Sequence, residues 1–206
     1  MGALMSAAAD DERVEQYVFP TPPAGGWTAD DLDRIPGLPP HTELIDGGLF
    51  FVSPQTYFHM ATTDLLVSTL RAQAPADLDV VREMTTKLGD RDRPEPDLMV
   101  VRLGADDPDQ TWFKPEDIVL AVEIVSTESL ERDREIKPRK YAAARIPHFW
   151  RVERNDGQPI VFVYELDPAT NMYAVTGIHH DRLKVTLPFE IDIDLTAVNR
   201  RRGAQA

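Results

Sequence analysis

The stretch Ile118-Val-Leu-Ala-Val-Glu-Ile-Val125 is the most apolar run of the chain. Its length and its branched side chains predict a central β-strand that is covered on both faces. Glu123 breaks this pattern, because it places a carboxyl group among aliphatic side chains. An unpaired buried carboxylate is very costly, so Glu123 must pair with a cation, bind a metal ion or stay protonated. The run therefore predicts the centre of a sheet and a candidate for chemistry.

Two explanations of Glu123 stay open on this strand alone. Strict alternation places Val119, Ala121, Glu123 and Val125 on one face, which aims the carboxylate at one layer of the fold. Glu123 also lies near the end of the strand, where a local Arg or Lys could neutralise it without any function. A second residue is needed before Glu123 indicates a site.

Outward from this strand, the sequence predicts alternating strands and helices. Asp46-Gly47 between two apolar runs indicates a hairpin over 43–52, and apolar spacing predicts helices over 57–74 and 130–144. Further strands are predicted at 80–88, 98–103, 149–152, 160–166, 173–176 and 183–187. This order predicts an α/β fold with a mixed sheet flanked by helices.

The composition of the chain limits its function. The 206 residues carry a net charge of −13 and include no cysteine, which excludes disulfides, zinc–thiolate sites and cysteine nucleophiles. The negative charge argues against strong nonspecific binding to nucleic acid, because phosphate contacts supply most of that affinity. No stretch approaches the ~18 apolar residues of a membrane span. We expect a cytoplasmic protein without a signal peptide or membrane segment.

The two ends of the chain differ from its middle. Residues 1–26 are acidic and then rich in Ala, Pro and Gly, which predicts a flexible arm, and residues 198–206 form a basic tail. Residues 27–197 are long enough for a single domain with a substantial core. A capping-box pattern at Thr28–Asp31 predicts a short helix at the start of this domain.

A second carboxylate, Asp97, begins a predicted strand. It follows Pro96, which extends the chain, although a solvated turn is the commoner place for such an aspartate. If the strand over 98–103 pairs with the strand over 118–125, Asp97 and Glu123 converge at one end of the sheet. Two converging carboxylates provide hard oxygen ligands suited to Mg²⁺ or Mn²⁺.

The predicted helix over 130–144 carries a lysine that could face these carboxylates. Asp133, Lys137 and Tyr141 occur four residues apart and therefore share a helix face. A lysine beside a metal site can orient a water nucleophile or stabilise charge on a transferring phosphoryl group. The spacing alone favours an ordinary Asp133–Lys137 surface salt bridge, which contributes only about a few tenths of a kcal/mol. Glu43 before the hairpin and His59 near the first long helix are candidates for supporting roles.

These segments, taken in order, resemble one family. The set comprises Glu43-Leu-Ile-Asp-Gly47, Ser53-Pro54, His59, Pro96-Asp97, Val122-Glu-Ile-Val-Ser126, the spaced Asp133, Lys137 and Tyr141, and Ile146-Pro-His-Phe-Trp150. It is similar to the Uma family of restriction endonucleases, assigned to the PD-(D/E)XK nuclease superfamily. The resemblance implies a restriction-endonuclease-like core: a mixed sheet between helices, with a Mg²⁺ site at one end of the sheet.

The resemblance also implies roles for individual residues. Asp97 matches the motif aspartate that follows proline, and Glu123 matches the acidic residue of the second motif strand, so these two would bind the metal ion. The superfamily pattern places lysine two residues after that acid, where this chain has Val125. The resemblance implies that Lys137 on the next helix takes its place. Two other residues match family positions whose roles are less defined, namely Glu43 and His59.

Three functional hypotheses follow. The first is a Mg²⁺- or Mn²⁺-dependent endonuclease acting on DNA, with Asp97, Glu123 and Lys137 as catalytic residues. The second is a nuclease-fold protein without cleavage activity that serves in binding or assembly, favoured by the acidic charge and by Val125. The third is a metal-dependent hydrolase of small phosphate esters. A homodimer is a further expectation, and the expected supporting residues are Glu43, His59, Asp133 and Tyr141.

Overall fold

Residues 20–104 and 109–199 are described in the computed structural model of the chain. Most of the predicted arm (residues 1–19) and most of the predicted basic tail (200–206) lie outside the described residues. The division of the chain into arm, domain and tail therefore stays a prediction. Among the described residues, no helix is both long enough and apolar enough to span a membrane.

Twelve strands and two α-helices make up the regular structure of the described residues. The strands are β1 (Thr42–Ile45), β2 (Gly48–Phe51), β3 (Leu78–Arg82), β4 (Thr85–Thr86), β5 (Leu98–Arg102), β6 (Trp112–Phe113), β7 (Ile118–Ile124), β8 (His148–Asn155), β9 (Gln158–Asp167), β10 (Met172–His179), β11 (Arg182–Val185) and β12 (Ile191–Asp194). The α-helices are α1 (Tyr57–Gln73) and α2 (Lys137–Ala143), and a π-helical turn (Arg132–Ile136) leads into α2. Short 3₁₀ helices occupy Ala29–Asp33, Pro115–Asp117 and Leu195–Asn199.

The main sheet has six strands in the order β10-β9-β8-β7-β5-β3. Strand β7 lies near its centre, and all seven of its residues are buried, as its apolar sequence predicts. It pairs antiparallel with β5 and parallel with β8, so the sheet is mixed. The predicted α/β architecture is therefore confirmed.

The two faces of the sheet are covered by different helices. On one face, Leu66 and Leu70 of α1 pack in a cluster with Leu120 and Val122. On the other, Tyr141 of α2 packs in a second cluster with strand residues that include Ala121 and Phe149. These two layers bury β7 from both sides, and Glu123 lies near the end of this strand.

Strict alternation was the wrong expectation for Val119. This residue packs in the α1-side cluster, whereas Ala121 belongs to the α2-side cluster. The pairing of β5 with β7 shifts register between Val100 and Val101, so the period of two is lost there.

The first hairpin forms where the sequence predicts it. Asp46 and Gly47 have φ values of 52° and 77°, the left-handed pair that a tight two-residue turn between β1 and β2 requires. A Cβ atom on Gly47 would lie 2.5 Å from Nη2 of Arg91, which donates a hydrogen bond to the Asp46 carbonyl. Glycine therefore suits this turn through its φ, and a side chain here would also require the Arg91 guanidinium to shift.

Two predicted strands differ from the structure. The run over 80–88 is split into β3 and β4, because Glu83 takes a left-handed φ of 55° between them. The run over 183–187 does not complete the main sheet, since β11 pairs with β12 in a separate two-stranded sheet. Only β10 extends the main sheet at that edge.

Candidate active site

A cleft of about 600 Å³ opens where the start of β5 meets the end of β7. Asp97 directly precedes β5 and Glu123 lies near the end of β7, so antiparallel pairing brings them to the same end of the sheet. Glu43 on β1, His59 on α1 and Lys137 at the start of α2 line the same cleft. Residues from five separate elements therefore meet at one point.

Glu123 is buried, with 1% of its surface exposed, and both of its oxygens accept hydrogen bonds. Lys137 Nζ donates to Oε2 at 3.0 Å, and the Tyr141 hydroxyl donates to Oε1 at 2.5 Å. Tyr141 is fully buried behind the cleft. The carboxylate in the apolar strand is thus stabilised by a cation and a hydroxyl from one helix.

Lys137 is not the surface residue that its spacing favours. Its side chain is 5% exposed, and Nζ lies 2.7 Å from Glu43 Oε1 and 3.3 Å from Asp133 Oδ1 as well as close to Glu123. The expected Asp133–Lys137 contact exists, but it is one part of a buried group in which three carboxylates surround a single ammonium. The interpretation as an exposed salt bridge is wrong, because that helix face packs on the sheet.

The segment before α2 brings this helix face to the site. Ser126 and Ser129 close the turn after β7, since their hydroxyls and backbone amides bond to each other. The π-helical turn then begins at Arg132, and Asp133 and Lys137 are both buried on its inner side. Insertions of this kind in a helix occur frequently at functional sites.

Asp97 is held in place through both of its oxygens. The backbone N–H of Ile124 donates to Oδ2 at 2.6 Å, and Nε2 of His59 lies 2.9 Å from Oδ1. His59 is buried in the first turn of α1, where its backbone N–H donates to the hydroxyl of the capping residue Thr56. His59 therefore lies in the capped first turn of α1 and also contacts the candidate metal ligand Asp97.

Glu43 is fixed as firmly as Asp97. It is 1% exposed, and its Oε1 accepts a hydrogen bond from the backbone N–H of Glu95 at 2.9 Å in addition to its contact with Lys137. The β1–β2 hairpin thus adds a third carboxylate to the cleft. The supporting role of Glu43 stays a prediction.

The buried group carries more negative than positive charge. Burial raises the pKa of Glu123 well above its ordinary value, and the charges of Asp133, Asp97 and Glu43 raise it further against the opposing effect of Lys137. Burial by itself lowers the pKa of Lys137, but the four carboxylates outweigh burial and raise that pKa well above its ordinary value. Lys137 therefore keeps its proton, and Glu123 and Asp133, whose pKa values are raised, hold a proton more readily than exposed carboxyl groups do.

A divalent cation is compatible with this arrangement. Within residues 20–104 and 109–199, no group of three His, Asp or Glu side chains is arranged to hold a metal ion. Asp97 and Glu123 are two carboxylates at one point, and each of their oxygens retains a free lone pair after one hydrogen bond. Mg²⁺ is usually bound by one or two carboxylates and several waters, so two ligands are sufficient.

Two further cleft residues escaped the sequence interpretation. His41 takes a left-handed φ of 57°, and its Nδ1 lies 2.6 Å from Glu95 Oε1. That hydrogen bond raises the pKa of His41 above its ordinary value, although burial opposes the shift. Arg132 also lines the cleft, with Nε 3.9 Å from Glu43 Oε2. Neither residue belongs to a periodic pattern, so no signal in the sequence singles them out.

The family of the chain follows from a match over most of its length. A family model described as "Uma2: Putative restriction endonuclease" matches residues 29–197. The chain belongs to the Uma2 family. The resemblance drawn from the ordered motifs is therefore confirmed, and this Uma2 protein belongs to a family described by nuclease activity. Among curated proteins, none matches the chain significantly.

A solved structure supports the fold of this Uma2 protein. It is described as "a putative nuclease belonging to DUF820" from Anabaena variabilis ATCC 29413. The TM-score is 0.60 at 17% sequence identity, with 78% of this chain and 89% of that chain covered. At this identity the similarity shows the fold alone, which is the restriction-endonuclease-like fold expected from the motifs.

Proposed function

We propose that this protein is a Mg²⁺-dependent endonuclease that hydrolyses phosphodiester bonds in DNA. The observation that carries the proposal is the buried Lys137, held between Glu123 and Glu43 at the point where Asp97 reaches the same cleft. Burying these charges together is costly for folding, so their retention calls for a functional explanation. A family described as restriction endonucleases supports hydrolysis of nucleic acid.

Asp97 and Glu123 are the residues that would hold the metal ion. When it is bound, Mg²⁺ supplies Lewis-acid charge at the scissile phosphate. His59 and the Ile124 N–H hold the Asp97 carboxylate, and the Tyr141 hydroxyl holds Glu123. Tyr141 stays neutral and able to donate, because burial raises its pKa well above the ordinary value. These contacts orient both ligands before any substrate arrives.

Lys137 acts in this proposal as a permanent cation. The surrounding carboxylates raise its pKa, so it cannot accept a proton and serve as a general base. Its ammonium can donate to a phosphate oxygen or orient the water that attacks phosphorus. Glu43 and Asp133 hold that ammonium in position from two sides. In this way Lys137 on α2 takes the place of the lysine that the superfamily pattern has at position 125, where this chain has valine.

The test is cleavage of supercoiled plasmid DNA with Mg²⁺ or Mn²⁺. We expect Asp97→Asn, Glu123→Gln and Lys137→Met each to lower the rate about 100-fold or more, because each removes either a proposed metal ligand or the proposed cation at the phosphate. Glu135→Gln is the matched control, since Glu135 lies on the same helix but is 60% exposed and pairs only with Arg139 in the described structure. Equal rates in all five proteins would sink the proposal.

A binding or assembly module without cleavage activity is the second candidate. The specific observation in its favour is that three carboxylates already surround the Lys137 ammonium. A net charge of −13 also disfavours DNA as a ligand unless cations intervene.

Small phosphate esters would be less affected by that charge, and a dinucleotide tested beside the plasmid separates the two substrate classes. A homodimer stays a prediction, which light scattering during size exclusion tests.

A further inference from the structure

Arg132 occupies a position in the cleft that the proposed reaction leaves without a role. Among the described residues that line the cleft, it is the only arginine. It begins the π-helical turn, so its side chain leaves the helix directly before Asp133 and one turn before Lys137. The side chain is 20% exposed, and its Nε atom is buried.

The guanidinium of Arg132 has fewer partners than a buried arginine requires. Its Nε is buried without a hydrogen-bond acceptor, and the nearest recorded carboxylate oxygen, Glu43 Oε2, is 3.9 Å away, too far for a hydrogen bond. Its Cζ lies 5.2 Å from the centre of the Phe50 ring, a cation–π contact that uses no donor. The buried Arg93 differs, because its three nitrogens all donate to protein oxygens.

The remaining charges of the cleft show what the unsatisfied guanidinium could bind. Most of the charged residues that line it are acidic: Glu43, Glu83, Glu95, Asp97, Glu123, Glu128 and Asp133. Lys137 is shared among three of these, and His41 is paired with Glu95. Among the described residues that line the cleft, Arg132 is therefore the cation with no carboxylate oxygen within hydrogen-bond distance, and an entering anion can contact it.

We propose that Arg132 binds a backbone phosphate of the nucleic-acid substrate and so positions the strand in the cleft. The inference rests on the proposed function, and it adds a substrate contact that the metal ligands do not supply. The planar fork of donors on arginine matches two phosphate oxygens, and such charge-assisted bonds are stronger than neutral ones. The Phe50 ring lies within cation–π distance of the guanidinium and uses none of its donors.

Binding to a fluorescein-labelled 20-base-pair duplex tests this contact without requiring cleavage. Fluorescence anisotropy is measured with Ca²⁺ in place of Mg²⁺ over a range of salt concentrations. We expect Arg132→Gln to weaken binding about tenfold and to reduce the slope of log K against log salt by about 1, because one phosphate contact is lost. Arg132→Lys keeps the charge but not the fork, so its slope stays unchanged while its affinity falls.

Arg139→Gln is the matched control for the loss of one positive charge. Arg139 lies on α2 outside the cleft and is 77% exposed, so we expect neither its affinity nor its salt slope to change. If Arg132→Gln does not fold, as judged by its thermal midpoint, the reduced affinity of Arg132→Lys decides the question. Wild-type affinity and slope in the Arg132 variants would overturn the inference, and so would a wild-type protein that binds no duplex.

The plasmid assay separates this inference from the proposed function. Normal cleavage by Arg132→Gln, with an unchanged KM for DNA, contradicts the role of Arg132 and leaves the catalytic proposal standing. A changed salt slope in Arg132→Gln supports that role even if no variant and no wild-type protein cleaves. An increased KM with an unchanged kcat supports both proposals.

Discussion

At the scale of single residues, the environment of Lys137 decides the character of the site. One ammonium contacts Glu43, Glu123 and Asp133, and all four side chains are at most 5% exposed. Such a group is costly to assemble, and it becomes costlier when one member is removed. Its charges therefore link the folding stability of the protein to its proposed chemistry.

Replacing this lysine tests how strongly the carboxylates depend on it. We expect Lys137→Met to lower the free energy of unfolding by about 3–5 kcal/mol, because three buried carboxylates lose their common cation. Urea denaturation at pH 7 measures the change. Lys184→Met is the control, since Lys184 is exposed on β11. A loss below about 1 kcal/mol for Lys137→Met would contradict the buried ion group.

Asp33 supplies a prediction about pH at the same scale. Hydrogen bonds from the buried Arg93 lower the pKa of Asp33 below its ordinary value of 3.8, although burial opposes the shift. A carboxyl group whose pKa is lower in the folded state adds stability above its unfolded pKa and loses it as the pH falls through its folded pKa. Asp33 therefore stabilises the fold above pH 3.8 and stops doing so at lower pH.

The variant Asp33→Asn should lack this pH-dependent contribution to stability. It should be less stable than wild type at pH 7, and the difference should shrink as the pH falls below 3.8. Urea denaturation between pH 2.5 and pH 7 in roughly half-unit steps gives both curves. Asp64→Asn serves as the control, because Asp64 is 58% exposed and its pair with Arg82 is also at the surface. A constant difference across that range would show that the ion pair does not contribute.

At the scale of elements, the β1–β2 hairpin and the turn into α2 matter most for the site. The hairpin carries Glu43 to the cleft, and the π-helical turn carries Asp133. Both elements depend on local chemistry, namely a left-handed Asp46-Gly47 turn and a serine-closed loop at Ser126 and Ser129. A change in either turn should therefore reach the site, directly through Ser129, whose carbonyl accepts from the Asp133 N–H, and indirectly through the hairpin.

Gly47→Ala tests how tightly the hairpin turn packs against Arg91, with Gly157→Ala as its matched control. Both glycines follow a left-handed residue in a two-residue hairpin turn, with φ values of 77° and 83°. A Cβ on Gly47 would overlap the Arg91 guanidinium, whereas a Cβ on Gly157 would meet nothing within 4 Å. We expect Gly157→Ala to cost about 1 kcal/mol through its backbone alone and Gly47→Ala to cost more. Thermal unfolding measures both, and equal losses would show that Arg91 moves aside freely.

At the scale of the whole molecule, the surplus of negative charge links metal binding to stability. The chain has 35 acidic and 22 basic residues, and several of the acidic ones converge on the cleft. A ligand that binds only the folded state raises its stability in proportion to the logarithm of ligand concentration. A cation bound by Asp97 and Glu123 should therefore stabilise the entire fold.

Thermal unfolding with increasing Mn²⁺ measures this linkage. We expect a rise in the unfolding midpoint that corresponds to about 2.7 kcal/mol at a concentration 100 times the Kd. The rise should disappear in Asp97→Asn and persist in Glu135→Gln, whose carboxylate is lost at an exposed position. An equal rise in all three proteins would place the metal elsewhere, and no rise in the wild type would favour the binding-module hypothesis.

Most of the fold could be predicted from the sequence, because its signals are local. The apolar run over 118–125 marks the central strand. Asp46-Gly47 and Asp156-Gly157 mark the turns of two hairpins, β1–β2 and β8–β9, and both hairpins form. The weaker predictions concern β11, whose partner β12 carries little signal, and the 80–88 run, which Glu83 interrupts. Backbone conformation at one residue and pairing between distant strands are not properties of a short window.

The sequence by itself determined that Glu123 needs a partner and that Asp97, Lys137 and Tyr141 belong to an ordered motif set. It could not decide whether Lys137 was exposed, since a spacing of four residues is the same on a surface and in a core. Glu43 lies 80 residues before Glu123 in the sequence, and only the tertiary structure brings both carboxylates to the same ammonium. Only the tertiary structure, too, leaves Arg132 Nε without an acceptor. The physical reason is burial, which turns weak exposed charges into strongly coupled ones and depends on every element packed around them.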